Sequence, residues 1–425
     1  MRIPFTNLDQ KAWIRLGIVA LIGFYVSYIG FNAIKYHTLV DFGSDVLAFW
    51  SAGKIADTEG YDHVYTLESL RKTQNAVLVE LGFSPEGASV IPAPLPALFL
   101  IPFQYLSRLS PVAAYWVCVF VSLVGSALYL WFFIKQMKSQ TPASISSGML
   151  FLLMLVSFPV FLNLFSGQVE IVHLICCGEM IRNADKKKPF LAGLWLGGFL
   201  IKPQVLILII PGLILLKNWK VLYGFIVSSL AIVGVSLALT GMEGMISMAN
   251  LWLKYVPGIA TNAPEIMMNW RMIGIRLGEW TNSSAGWIIA IIGMVVTVLL
   301  AFLLTKSQPV FGSEKWFLII FAIFAATCTV TWHSHVHMAM VLVPFIAYLK
   351  YSGLLKDRLL YSWVFIPPLL MIVTIIVEVL LQMVSIPPIH KMNSFINGLC
   401  EFIFNLIFLG MVYHQSKPSG RLNPQ

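Results

Sequence analysis

Runs of about 20 apolar residues recur along the whole 425-residue chain. A run of that length matches the hydrocarbon core of a bilayer, about 30 Å thick. With no water there to satisfy backbone polar groups, such a run must be an α-helix. The repetition therefore predicts an all-α polytopic membrane protein. Composition agrees, with 58% hydrophobic and 11% charged residues and a mean hydropathy of +0.82, where a soluble domain carries about 25% charge. The net charge of +9 is expected in cytoplasmic anchoring loops, and nucleic acid is not expected as a partner. Cys118, Cys176, Cys177, Cys328 and Cys400 all fall inside apolar runs without metal-ligand spacing. They read as small hydrophobes.

In chain order, Arg2, Lys11 and Arg15 against Asp9 predict a cytoplasmic start. The span at 14–34 is long enough to cross and lacks a small-residue cleavage pattern, so it reads as a retained anchor. The loop at 35–90 carries eight acidic residues against four basic ones and is expected outside. Leu67, Leu70, Val77, Leu78 and Leu81 predict an interfacial helix within it. Pro92, Pro94 and Pro96 shape the start of a short apolar segment, 92–107. Further spans are expected at 111–134 and 147–165, then from Gly167-Gln168 to the basic run ending at Lys188. Two apolar halves, 189–201 and 204–216, meet at Lys202-Pro203-Gln204, which should face outward because both flanks are basic. A span at 221–240 leads into a second outer loop, 241–283. The last spans are expected at 284–305, 316–332, 336–349, 359–386 and 394–414. With Arg2 and Lys135 both inside, three intervening crossings are one too many. Either 92–107 does not cross fully, or Lys135 and Lys138 break the positive-inside rule. Eleven to thirteen helices are expected, in a single integral-membrane domain over 1–425 with no internal repeat. The polar tail at 416–425 is expected to fray.

The topology brings a polar set to the outer boundary. Asp41 and Asp45 follow the first span, and a helix from Asp45 lays Phe49, Trp50 and Gly53 along one flank. Gln168 opens the fifth span, with Glu170 and His173 after it. Lys202 sits at the apex of the half-helices, and Asn269-Trp270-Arg271 in the second outer loop. His333, His335 and His337 turn between two later spans. Each has a plainer reading. Asp41 or Asp45 could cap a helix, Lys202 could snorkel, and Arg271 could pair with Glu265 or bind lipid headgroups. Glu170, His173 and Glu378 could form a satisfied interhelical cluster. His333 and His337 share a helix face but lack Cys or Asp partners, so no metal is expected. Such a set suits sugar transfer from a lipid phosphate. A carboxylate takes the acceptor proton, cations stabilise the leaving phosphate without protonating it, and direct displacement inverts the anomeric centre.

At these residues the sequence resembles glycosyltransferase family 87, polyprenyl-phosphate-sugar-dependent enzymes of the type C glycosyltransferase fold. The resemblance rests on weak motifs in order. They are Asp45-x-x-x-Phe49-Trp50-x-Ala52-Gly53, Tyr61 and Tyr65, Pro94-Leu95-x-Ala97-Leu98 with Pro102, and Gly167-Gln168-Val169. Ala192-Gly193-Leu194 with Lys202-Pro203, then Met268-Asn269-Trp270-Arg271, complete the set. The chain departs from the family pattern at Val46, Ala93 and Glu170. The resemblance implies Asp45 as catalytic base and a functional histidine late in the chain, carried to His335 with His333 as the alternative. It implies an inverting transferase moving a hexose such as mannose from a polyprenyl-phosphate donor to a lipid or glycan acceptor of the cell envelope. The site would face outward from the cell membrane. Lys202, Arg271 and His335 would hold the donor phosphate, and Gln168 and Trp50 would line the sugar or acceptor pocket, near Asp41, Asn269 and His333. No cofactor is expected, the lipid-linked sugar being a substrate. Two competitors stand beside this reading. A secondary transporter would use Glu170, Glu378 and His173 with the broken helix at Lys202-Pro203. A ligase or polymerase using a diphosphate-linked donor would want more outer arginines than Arg71, Arg271 and Arg276.

Overall fold

A computed structural model describes residues 9–137, 145–255, 263–384 and 392–416. Arg2, Lys138 and nearly all of the C-terminal tail lie outside the described residues. Among the described residues there is no β-strand, only one isolated bridge between Thr38 and Phe42. The helical, multi-pass membrane architecture expected from the apolar runs is what the structure has.

The first span is helix α1 (Gln10–Lys35), capped by the Asp9 side chain accepting from Ala12 N. It is followed by α2 (Ser44–Thr58) and by the predicted amphipathic helix, α3 (Leu67–Glu80), which buries Leu70, Gln74 and Val77. The proline-rich segment comes next and ends in a short helix, α4 (Ile101–Leu106). Both of its ends are tied to the α2–α3 layer. Gln74 exchanges two hydrogen bonds with the Ile91 backbone, at 2.7 and 2.9 Å. Arg108 pairs with Asp57, and Trp50 Nε1 donates to Leu109 O at 3.1 Å. With both ends held at one layer and its apolar helical part, Ala97–Leu106, too short for a span, segment 92–107 fits the expected alternative that does not cross fully. Lys11 at the start of α1 and Lys135 near the end of α5 (Pro111–Gln136) then share one end of the bundle.

The span expected at 147–165 is broken into α6 (Ser147–Leu155) and α7 (Phe158–Ser166), bent by 43° where Pro159 starts the second piece. Helix α8 (Ile171–Asp185) leads to the two predicted half-helices. These are Pro189–Ile201, containing α9 (Pro189–Leu196), and Pro203–Leu215, containing α10 (Ile209–Leu215). Helix α11 (Trp219–Asn250) overruns its expected end at 240. Gly241, at φ 66 and ψ −179, kinks it, and helical structure continues to Tyr255. Part of the expected outer loop is thus helical, and α12 (Trp270–Thr281) fills more of it.

Then come α13 (Ala285–Thr305), α14 (Glu314–Val330) and, after a 3-10 stretch over Val336–Leu342, α15 (Val343–Tyr351). Helices α16 (Asp357–Met383) and α17 (Met392–Ser416) end the described chain. Among the described residues, six helices are long and apolar enough to cross, and the bent α6–α7 pair makes a seventh. The other apolar segments counted among the expected eleven to thirteen are shorter pieces. Helix α14 is buried on every side from Trp316 to Val330. A helix apolar all round belongs at the centre of a bundle, and α14 is the axis of the largest core cluster.

Candidate active site

A cavity of about 370 Å³ opens where α2, the α7–α8 turn, the break at Lys202, the 331–337 segment and α17 converge. Asp45 stands in the first turn of α2, where the helix dipole favours a carboxylate. Phe49, one turn on, and Ser44 line the cavity beside it. What fixes α2 is its small-residue face. Ala48, Ala52 and Ala56 are buried, and Gly53 lies so close to α4 that a Cβ there would run into the Phe103 carbonyl.

Beside Asp45, Asn163 shapes the turn between α7 and α8. Its backbone oxygen accepts from Gln168 N at 2.9 Å, and its side-chain oxygen from Glu170 N at 3.1 Å. That turn presents Gln168 to the cavity and points Glu170 inward. Lys202 sits in the non-helical break, donating to Gln168 Oε1 at 2.6 Å and ion-paired with the fully buried Glu170. His337 Nε2 approaches the same carboxylate at 3.6 Å. Lys202 is thus buried as a paired charge, which a membrane interior tolerates far better than a lone one.

The third wall carries His333, His335 and His337. His335 is extended, at φ −88 and ψ 162, and His337 stands in the first turn of the 3-10 stretch that follows. Their rings follow one another at centroid spacings of 4.9 and 5.7 Å. The segment is held from behind. Met268 N donates to Ser334 O at 2.8 Å, and Asn269 Nδ2 donates to Thr331 O at 2.7 Å and Trp332 O at 3.3 Å. Asn269 Oδ1 also caps α12 through Met272 N at 3.0 Å. The Arg271 guanidinium stacks on the Trp332 ring at 4.2 Å. Among the described residues, no three His, Cys, Asp or Glu side chains converge as a metal site.

Burial pushes the Asp45 carboxyl above the ordinary carboxylate range. Glu170 adds to the rise, while Lys202 and a hydrogen bond from Gln168 oppose it. A carboxylate so placed is a stronger base than one in water. Burial, with help from His335 and Lys202, pushes His333 well below the usual imidazole value.

Of the residues expected in the site, Asp45, Gln168, Lys202, His333 and His335 line the cavity together. Asp41 does not. It is exposed and binds His37, through the backbone N at 2.9 Å and Nδ1 at 3.3 Å. Nor does it cap α2, whose N-cap is Gly43. Trp50 packs behind α2 among Leu39, Phe42, Val77 and Ala114, so Phe49 is the aromatic that faces the cavity. Asn269 and Arg271 hold the histidine segment from outside it. Glu378 is not clustered with Glu170 and His173 but accepts from Asn393 N at 3.3 Å. His337, named with the other histidines in the polar set, lines the cavity too, and sequence reasoning gave no site role to Gln204 or to the α17 residues Asn393, Ser394 and Asn397, all of which line it. One signal was available: Asn393, Asn397, Glu401 and Asn405 recur every four residues in an otherwise apolar span.

No curated protein matches the chain at a significant level. A sequence model of the family described as Glycosyltransferase family 87 matches residues 93–331, more than half of the chain and including Gln168 and Lys202 of the cavity and Asn269–Arg271 behind it. The chain is therefore a member of glycosyltransferase family 87, a membrane-embedded glycosyltransferase.

Proposed function

We propose that the chain is an inverting transferase that takes a hexose from a polyprenyl-phosphate donor to a hydroxyl of a lipid or glycan acceptor. The observation that carries this reading is one cavity lined both by a basic carboxylate, Asp45, and by Lys202 and histidines. Asp45 accepts the acceptor hydroxyl proton as the oxygen attacks the anomeric carbon. The bond from that carbon to the donor phosphate oxygen breaks on the opposite face, and the phosphate leaves with the bonding pair. Charge developing on it is met by Lys202, His335 and His333, with Arg271 behind them. A phosphate leaving group needs no proton, so one carboxylate suffices, and the reaction needs no metal or cofactor. Mannose is the hexose the family resemblance suggests.

The site is proposed to face outward at the cell membrane. Supporting this, the basic turns Lys186–Lys188, Lys217 with Lys220, and Lys306 with Lys315 follow or precede spans at the end remote from Asp45. An isoprenoid donor needs a site at the bilayer boundary, and the cavity adjoins apolar side chains such as Leu162, Phe165 and Met371.

The test is donor consumption by the purified chain in nanodiscs, with membrane lipid extract as acceptor. Radiolabelled polyprenyl-phosphate hexoses are compared with nucleotide hexoses and a polyprenyl-diphosphate sugar. Transfer from the monophosphate donor alone, with the anomeric configuration inverted by NMR, supports the reading. Use of another donor, retention of configuration, or solute movement in proteoliposomes without any transfer contradicts it.

A further inference from the structure

The cavity has a wall with no charge on it. Helix α17 contributes Asn393, Ser394 and Asn397, which lie on one helical face at i, i+1 and i+4. They fall beyond the matched segment, 93–331. Asn397 is only 5% exposed, yet its side-chain oxygen has no hydrogen-bond partner. Its amide nitrogen donates to Asn393 Oδ1 at 3.1 Å, and Asn393 Oδ1 also accepts from Thr374 Oγ1 at 2.8 Å. The two amides are therefore held in register, with one buried acceptor, on a residue that lines the cavity, left without a donor. A buried acceptor without a donor is costly, and on a residue that lines the cavity a ligand hydroxyl would relieve that cost.

The chemistry of that ligand follows from the wall. Amides and a hydroxyl both donate and accept but neutralise no charge. They suit the hydroxyls of a sugar or cyclitol and offer a phosphate little against Lys202 and the histidines. We infer that Asn393, Ser394 and Asn397 form the subsite for a neutral polyhydroxylated headgroup, the acceptor, with Asn397 Oδ1 accepting from one of its hydroxyls. The assignment rests on the transferase reading for the word acceptor, while the recognition of a neutral polyol does not. Placing this subsite on α17 puts acceptor choice outside the segment that the family shares.

The test is binding to the purified full chain in nanodiscs, with fluorescent alkyl hexoside as neutral probe and the same dye on an alkyl phosphate as anionic probe. A free hexose competes in one arm, an unlabelled glycolipid in another, to separate the polyol from its lipid anchor. Asn397→Leu, and Ser394→Trp at the exposed mouth, are expected to weaken the neutral probe at least tenfold and leave the anionic probe within twofold. Lys202→Met should do the reverse. Should Asn397→Leu misfold, Ser394→Trp alone still decides. Unchanged neutral binding in both variants, parallel loss of both probes, or a wild type that binds only the anionic probe overturns the subsite. Failure of wild type to consume any polyprenyl-phosphate sugar overturns the transferase reading instead and leaves the binding result standing.

Discussion

Glu170 and Lys202 form a buried ion pair 32 residues apart in sequence, with the Glu170 side chain fully buried and Lys202 nearly so. The pair explains how a membrane-embedded site holds an ammonium toward its cavity before any phosphate arrives. Removing one partner of a buried pair leaves an uncompensated charge. Glu170→Leu is expected to lower stability by about 3–5 kcal/mol. Glu170→Leu with Lys202→Met should recover most of that loss. Denaturation of both variants in the same micelles checks it.

Asp45 should show opposite effects on stability and activity. Its carboxyl is held above the ordinary range by burial. Between the unfolded and folded values the folded chain binds the extra proton, so this group's contribution to stability is present at low pH and lost as pH rises through the folded value. Asp45→Asn is therefore expected to leave stability at neutral pH equal or higher, with a flatter pH dependence. Transfer by the wild type should fall as pH drops through the same raised value, because the base must be ionised. Melting curves and transfer rates over one pH series read both.

His335→Ala should separate binding from chemistry. A hydrogen bond to a charged group is worth roughly 1.5–3 kcal/mol. Donor KM is expected to rise about tenfold or more, with acceptor KM little changed. An effect confined to acceptor KM would place His335 on the other substrate.

Two glycines hold the cavity's frame, for different reasons. At Gly53 the space is filled by the Phe103 carbonyl, and Gly53→Ala should cost about 1–3 kcal/mol through displaced backbone and shift Asp45 with α2. At Gly241 the space is open, but φ 66 with ψ −179 is a conformation that only glycine adopts freely. Gly241→Ala should cost a similar amount and loosen the contact of Trp252 Nε1 with Pro94 O, 2.7 Å, at the cavity wall. Gly234→Ala, in regular helix with nothing nearby, should be neutral or stabilising. Thermal unfolding of the three variants side by side checks the difference.

Much of the fold was legible because span length and charge breaks are physical constraints on each segment alone. The half-helices around Lys202 and the amphipathic α3 were readable on that ground. Segment 92–107 was not, because its fate depends on hydrogen bonds from Gln74 and Trp50, far away in sequence. In the site, the position of Asp45 in the first turn of a helix was readable, while spacing put Phe49 and Trp50 on one flank and Trp50 was taken as the pocket aromatic in place of Phe49. Trp50, only 100° further round, required knowing that this face packs on α5. Asn269 and Arg271 were read as site residues since an N-cap and a stacked guanidinium look the same in sequence as ligands. The α17 wall was overlooked, although its four-residue polar repeat was visible, because nothing in the sequence says which face of the last span meets the cavity.

The most direct measurement is transfer from radiolabelled polyprenyl-phosphate hexose to membrane lipid by wild type and Asp45→Asn, in nanodiscs, at the pH optimum of the wild type. Loss of general-base catalysis predicts a fall of about 10²–10⁴ in kcat with donor affinity retained and the fold intact by melting. An Asp45→Asn variant that transfers at the wild-type rate would contradict the assignment of Asp45 as the base.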